Sequence, residues 1–500
     1  MRHTLMKSAS AALEHLSFDE ERIAMIKGYE VVVGLEVHAE LNTATKIYCS
    51  CKNSFGLEVN TQVCPICMGM PGTLPTLNEK VVEYAIKMGH ALNCGINRIC
   101  KQDRKNYFYP DLPKSYQISQ ADIPLCHDGY LDVIVNGEVK RIGIERIHIE
   151  EDAGKLLHSD KFDGSLVDFN RCGVPLIEIV SRPDMRGSEE AKAYLETIKS
   201  ILKYIDISDC KMQEGSIRCD VNVSVHKPGE PFGTRCEMKN VNSFSAVVRG
   251  IDYEANRQIE VLEAGGKITQ ETRRWDDAKG ESIPMRSKED AQDYRYFPEP
   301  DLLTIVVPEE KVQYLKDTLP ELPNARIMRY INDCGLSHAD ASMIVDVVEK
   351  AKFFDECLKL NCKSPKMAAN WILGEISKLM NMGKTIEEIN VTPEKLVKII
   401  NYISDGKISN ASGKVIFDAI VESGADVNKV IEEKSLAQVS DTSALEELAK
   451  KVLAENEKSV NDYKNGKTNA LGYLVGQCMK ASKGKANPGA MKEIILKYLG

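Results

Sequence analysis

In residues 31–41, VVVGLEVHAEL, every second side chain is apolar: Val31, Val33, Leu35, Val37, Ala39 and Leu41. A period of two puts these on one face of a β-strand and leaves Val32, Gly34, Glu36, His38 and Glu40 on the other. The pattern recurs. In 215–226, Ile217, Cys219, Val221, Val223 and Val225 back Arg218, Asp220, Asn222, Ser224 and His226. In 139–151, Ile147 and Ile149 alternate with Arg146, His148 and Glu150, and in 234–240 Cys236 and Met238 alternate with Arg235, Glu237 and Lys239. Segments 131–136 and 172–181 also read as strands. Two helices interrupt this β-rich stretch. One starts with Ser188 as N-cap, Glu189 and Glu190 in the first turn, and an apolar stripe of Tyr194, Leu195, Ile198, Ile201 and Leu202. The other ends at Gly265-Gly266.

Beyond residue 305 the spacing becomes helical, in 308–318, 323–333, 338–353, 366–382 and 393–403, and a more polar helical pattern runs on to the C-terminus. The reading is an α+β protein: an N-terminal domain over 29–305 with a mainly antiparallel sheet, an all-α domain over 306–410 and a small helical tail domain over 411–500. Residues 1–28 read as an N-terminal extension without the basic start and apolar core of a secretory leader.

Composition narrows the class. The chain is 43% hydrophobic and 28% charged, and no apolar run reaches the ~18–20 residues of a membrane span. Its 15 cysteines are sparse and irregular except in one place, which argues for a reducing compartment and a cytoplasmic protein. A net charge of −9 argues against a surface that coats nucleic acid generally, but Lys458–Gly500 holds eight lysines against two acids, a local +6. A lysine-rich helical tail is usually a solvated face. On an acidic chain a basic end is more telling, and Lys480, Lys483 and Lys485 are its candidates for phosphate contact.

A half-solvated antiparallel sheet also alternates, so one such strand says little. Four of them, with fronts rich in acids, arginine, histidine and asparagine, point to divalent cations, phosphates and carboxylates. Neither GxxxxGK[ST] nor GxGxxG occurs, which argues against P-loop and Rossmann nucleotide binding. Arg104, Lys105 and Tyr107 in DRKNYFYPDLPKSYQISQ, Lys239, and Arg295 between two tyrosines are expected to bind nucleotide. Glu178, alone in an apolar strand, is read as functional in preference to a structural ion pair with Arg182 or Arg171. Arg218 and Asp220 join the same polar face. Cys49, Cys51, Cys64 and Cys67 form C-x-C-x12-C-x2-C, a structural zinc pattern, with an iron–sulfur cluster or a redox pair as the alternatives. No GxSxG elbow or acyl-transfer triad can be assembled.

Taken in order, GLEVHAEL, YFYPDLPKSYQISQ, IHIEEDAGK, DFNRCGVPLIEIVS, GSIRCDVNVS and EMKNVNSF resemble the B-subunit family of tRNA-dependent amidotransferases, from about residue 29 to the C-terminus. The resemblance implies a glutamine-synthetase-like cradle that binds ATP and Mg²⁺ and phosphorylates the side-chain carboxylate of a misacylated Glu-tRNA(Gln) or Asp-tRNA(Asn). Ammonia from glutamine, released by a separate A subunit, then displaces the phosphate. A C subunit ties the heterotrimer together, and the helical domain and tail engage tRNA. The family's metal centre maps onto Glu36 and His38, with Glu150, Glu151 and Asp152 matching its acids. The expected ligands are Glu36, His38 and Glu150 for magnesium, with the acids supplied by a neighbouring strand. Two rivals remain at this level: a carboxylate–amine ligase acting on a free metabolite, and a noncatalytic tRNA-binding scaffold.

Overall fold

The computed structural model describes residues 25–158, 164–287, 293–437, 442–482, 486 and 488–499. The chain divides into two compact units, Met1–Pro323 and Asn324–Gly500. Among the described residues of the first, ten strands form one sheet. Its main strands are β1 (Tyr29–Glu40), β4 (Cys126–Val135), β5 (Glu138–Glu151), β6 (Pro175–Ser181), β7 (Ile217–His226), β8 (Cys236–Lys239), β9 (Glu271–Asp276) and β10 (Glu281–Ser287). A separate small sheet holds β2 (Asp103–Asn106), β3 (Tyr116–Ser119) and β11 (Phe297–Pro298). The large sheet runs β10-β9-β8-β7-β1-β6-β5-β4, and all these neighbours are antiparallel except β8 and β9.

The apolar face expected for β1 is buried: Val31, Val33, Leu35, Val37, Ala39 and Leu41 all join one core. Helices α1 (Glu79–Ala91), α2 (Ser188–Tyr204) and α3 (Phe244–Glu263) cover that face, and the five stripe residues of α2 are all buried. Helix α2 does start at Ser188, but its N-cap is Gly187 at φ 121°, with no side-chain cap bond. The left-handed glycine turns the chain instead, and Glu190 accepts from the Arg186 N–H at 2.7 Å. Helix α4 (Glu309–Asp317) has the spacing of the helices after it, yet buries Val312 and Leu315 in the core of the sheet unit.

The underside of the sheet carries one buried ionic network. Glu254 on α3 accepts from Arg257 (2.6 and 2.9 Å), Gln258 (2.9 Å) and Ser282 on β10 (3.0 Å), and Arg273 on β9 lies 3.5 Å away. Burial raises the Glu254 carboxyl, but the hydrogen bonds from Arg257 and Gln258 outweigh it and hold the pKa below the usual range. Since the folded value is depressed, the stabilisation is present above the unfolded pKa and is lost as the pH falls through the folded one. Glu254→Gln is therefore expected to cost about 3 kcal/mol at neutral pH. Denaturant unfolding should show the gap to wild type narrowing as the pH falls below the ordinary carboxylate range.

The second unit is helical among its described residues. The stretch expected as 338–353 is two helices, His338–Val345 and Val348–Lys359, and the stretch expected as 366–382 is one run interrupted by a π-turn at Ile372–Ile376. Near the C-terminus, helices Thr442–Glu455, Asn469–Ala481 and Pro488–Leu499 enclose a small core of their own that includes Leu445, Leu474, Cys478 and Ile495. No helix among the described residues is long and apolar enough to cross a membrane.

Candidate active site

The polar fronts converge because of the strand order. Strand β6 lies between β1 and β5, so the acids of β5 are not on the strand next to β1, where the sequence pattern alone would put them. The register aligns Arg218, His38, Glu178 and His148 in one row across β7, β1, β6 and β5. The row beside it aligns Asp220, Glu36, Val180 and Arg146. A cleft of about 420 Å³ opens over these rows, lined among others by Glu36, His38, Lys105, His148, Glu178, Asp220, Glu237, Lys239, Tyr294 and Tyr296. That volume lies within the usual range for a small-molecule pocket.

Two candidate ligand groups form there, and all their members but Glu150 line the cleft. In the first, His38, Glu150 and Glu178 bring their donor atoms within 4.8 Å of one another. The His38 Nε2 is 3.4 Å from Glu178 Oε2 and 3.8 Å from Glu150 Oε1. In the second, Glu36, Asp220 and Glu237 do the same. Asn222 donates to Glu36 at 3.0 Å, Thr272 donates to Glu237 at 2.7 Å, and Lys239 bridges Asp220 (2.5 Å) and Glu237 (3.1 Å). The set expected together, Glu36, His38 and Glu150, is thus split. Adjacent same-face residues on a strand stand ~7 Å apart, and each takes the partners that its own row supplies.

The electrostatics fit a site built for cations. Burial and the nearby Glu178 charge push the Glu36 carboxyl up, against the Asn222 hydrogen bond. Burial would lower the two imidazoles, but the acids beside them win: His38 is raised, and His148 is pushed up to about 9 by Glu178 and Glu150. Glu178 is correspondingly held well below the usual range against its burial, chiefly by His148 and then His38. A divalent cation fits both groups by donor chemistry, three carboxylates in one and two carboxylates with an imidazole in the other. Coordination by His38 requires its neutral imidazole.

The remaining expected site residues are dispersed. Of the three consecutive acids, only Glu150 joins a ligand group. Glu151 faces the opposite side, paired with Lys114 and accepting from the Ile118 N–H at 3.0 Å. Asp152 pairs with Arg218 (2.7 Å) and Arg171 (3.4 Å). Arg182 pairs with Asp128 at 2.6 Å, so neither arginine considered for Glu178 meets it; two histidines do. Lys105 and Lys239 line the cleft. Arg104 does not: its guanidinium is spent bidentately on Glu299 (2.6 and 2.7 Å) and stacked 4.2 Å over Tyr116. Tyr107 packs edge-on against Tyr294 and Tyr109, and Arg295 is exposed in a left-handed conformation. Glu237 and His148 were legible as front-face residues, but nothing local marked them as site members.

The four cysteines do meet. Cys49 and Cys51 sit at the tip of a turn closed by Lys46 N–H to Cys51 O (2.9 Å), and the Cys64 N–H bonds the Cys67 sulfur (3.1 Å). All four sulfurs lie within 4.8 Å of one another, consistent with the ~3.8 Å sulfur spacing of a tetrahedral Zn–S₄ centre. The Cys49 thiol holds the Cys67 pKa down, to about 5, aided by Lys46, so a thiolate is available. Lys480 is exposed near the end of its helix, whereas Lys483 and Lys485 lie outside the described residues.

The sheet unit gathers acids, imidazoles and two lysines in one cleft, the surroundings of a catalytic domain. Comparison with known families agrees. Residues 31–313 match the model described as the GatB/GatE catalytic domain, and residues 352–499 match the GatB domain. The chain belongs to this family. It is 57% identical over 476 residues to the B subunit of the aspartyl/glutamyl-tRNA(Asn/Gln) amidotransferase of Caldicellulosiruptor bescii, covering 94% of this chain and 99% of that protein. The counterpart of the same name from Thermoanaerobacter pseudethanolicus is 57% identical over 473 residues, with the same coverage. That of Clostridium botulinum is 53% identical over 471 residues, covering 93% and 98%.

Proposed function

We propose that this chain is the B subunit of a tRNA-dependent amidotransferase, a cytoplasmic ATP-dependent carbon–nitrogen ligase that works with A and C subunits. Its substrates are misacylated Glu-tRNA(Gln), Asp-tRNA(Asn) or both, converted to Gln-tRNA and Asn-tRNA. The observation that carries the reading is the pair of acid-rich cation groups in one cleft, on a chain that matches amidotransferase B subunits along nearly its whole length. The glutamine-synthetase-like cradle is our reading of the sheet unit, and tRNA engagement our reading of the helical part and its lysine-rich tail.

A carboxylate resists attack by ammonia; phosphorylation turns one of its oxygens into a leaving group. That step needs positioning and charge neutralisation more than a protein nucleophile, in keeping with a cleft lined by acids, imidazoles and lysines. His38, Glu150 and Glu178 would hold one divalent cation and Glu36, Asp220 and Glu237 a second; when bound, these ions neutralise the phosphates of ATP. Lys105 and Lys239 add fixed positive charge to the cleft. Cys49, Cys51, Cys64 and Cys67 would hold a zinc ion with no open position, and hence a structural role.

The test is to purify the three-subunit complex and supply Glu-tRNA(Gln) or Asp-tRNA(Asn), ATP, Mg²⁺ and ammonium chloride, so that glutamine hydrolysis is not required. The expected result is ATP-dependent formation of the amidated aminoacyl-tRNA. A complex that binds the tRNA but amidates neither substrate would overturn the proposal.

A further inference from the structure

His148 sits in the cleft without belonging to either ligand group. It is 4% exposed, directly across from Glu178 in the register between β5 and β6. Its Nε2 lies 3.2 Å from Glu178 Oε2 and 3.7 Å from Glu150 Oε2. These are the two carboxylates of the first cation group. Its other ring nitrogen, Nδ1, is buried with no partner. Leaving a ring nitrogen unsatisfied in a buried site is costly, so a purely structural role is poorly served by histidine here. The same Glu178 oxygen also faces His38 Nε2 at 3.4 Å, so Glu178 stands between two imidazoles that differ in kind. His38 is grouped with the acids as a cation ligand, whereas His148 is not.

We infer that His148 is a positioning residue: through Nε2–H it orients the Glu178 carboxylate, and with it Glu150, toward the cation shared with His38. The inference rests on the cation site proposed above. Carboxylates that ligate metals are held by hydrogen bonds from a surrounding shell, and loss of such a partner typically costs 10–100-fold in metal affinity. The third polar contact of this group fits the same arrangement: Ser119 Oγ donates weakly to Glu150 at 3.4 Å. The His148 ring is buried, so it has little freedom to swing away.

The test measures Mn²⁺ binding to the intact three-subunit complex by electron paramagnetic resonance, with no nucleotide or tRNA present. Two variants separate position from polarity. His148→Gln keeps an N–H near the Nε2 position, and His148→Asn offers one only near Nδ1. The expected result is near wild-type Mn²⁺ affinity for His148→Gln and a loss of about 10–100-fold for His148→Asn, with both complexes melting close to wild type. If Asn binds Mn²⁺ as wild type does, or if Gln and Asn weaken binding equally, His148 does not act through Nε2 and the inference fails. His38→Ala serves as the control. Wild-type Mn²⁺ binding that is insensitive to His38→Ala would overturn the cation site itself, an outcome distinct from failure of the positioning role.

Discussion

Glu178→Gln is expected to lower the rate of ATP-dependent amidation by roughly 100- to 1,000-fold, measured on the complex with ammonium chloride as nitrogen donor. The substitution keeps the size of the side chain and removes one negative charge. Glu178 is the middle of the row, within 3.4 Å of His38 and 3.2 Å of His148, and it shares the first cation group with Glu150. It is buried on a strand whose other residues are mostly apolar, so its charge is retained against a desolvation cost and the two imidazoles offset it. An amide at this position lacks the charge that a hard cation requires, and its NH₂ group would face an imidazole N–H. The loss should fall mainly on kcat, with tRNA binding unchanged, because tRNA engagement is proposed for the helical part and its tail. Wild-type turnover by Glu178→Gln would mean that the row is only a buried structural network.

Cys67→Ser is expected to strip the zinc site and to lower stability by roughly 5 kcal/mol or more, part of the ~10–16 kcal/mol with which zinc knuckles hold their ion. Of the four thiols, Cys67 is the buried one and the one whose pKa is depressed, so it is the first to offer a thiolate. The segment 52–63 between the two knuckles is largely exposed and carries no strand or helix; Glu58, Asn60 and Gln62 bond it to residues 167–170, and the proposed ion would add a second tether. The checks are metal content by mass spectrometry, one zinc per wild-type chain and less than one in the variant, and limited proteolysis, with new cleavage in 52–63. A zinc-free wild-type protein with intact stability would sink the assignment. Because Cys49 and Cys67 line the same small cavity as Lys114 and Glu151, the variant should also perturb the Lys114–Glu151 pair behind the cleft.

Much of the fold was legible in the chain. Period-two alternation identified the buried faces of β1, β5, β7 and β8, because a strand with one face in the core must alternate. The stripe of α2 and the glycine stop of α3 were equally local. The misreadings share one cause. Ser188 suits an N-cap, yet Gly187 at positive φ turns the chain into the helix. The π-turn at Ile372–Ile376 is invisible to a 3.6-residue period. Helix α4 was grouped with its sequence neighbours because spacing says how a helix is striped and nothing about what the stripe packs on.

The sequence by itself determined which side chains face the front of each strand, that the cysteines come as two knuckles, and, through six ordered motifs, which family the chain resembles. Only the tertiary structure decided which fronts meet. Strand order placed β6 between β1 and β5, so Glu178 bridges His38 and His148, while Glu36 is drawn to Asp220 and Glu237 across β7 and β8. It also showed that Arg104 is occupied by Glu299 and Arg218 by Asp152. The physical reason is that periodicity records the environment of one residue, whereas a site is made by pairings between strands as far apart as 36 and 237 in the chain. Those pairings follow from the lowest-energy arrangement of the whole sheet and its covering helices, which no local window contains.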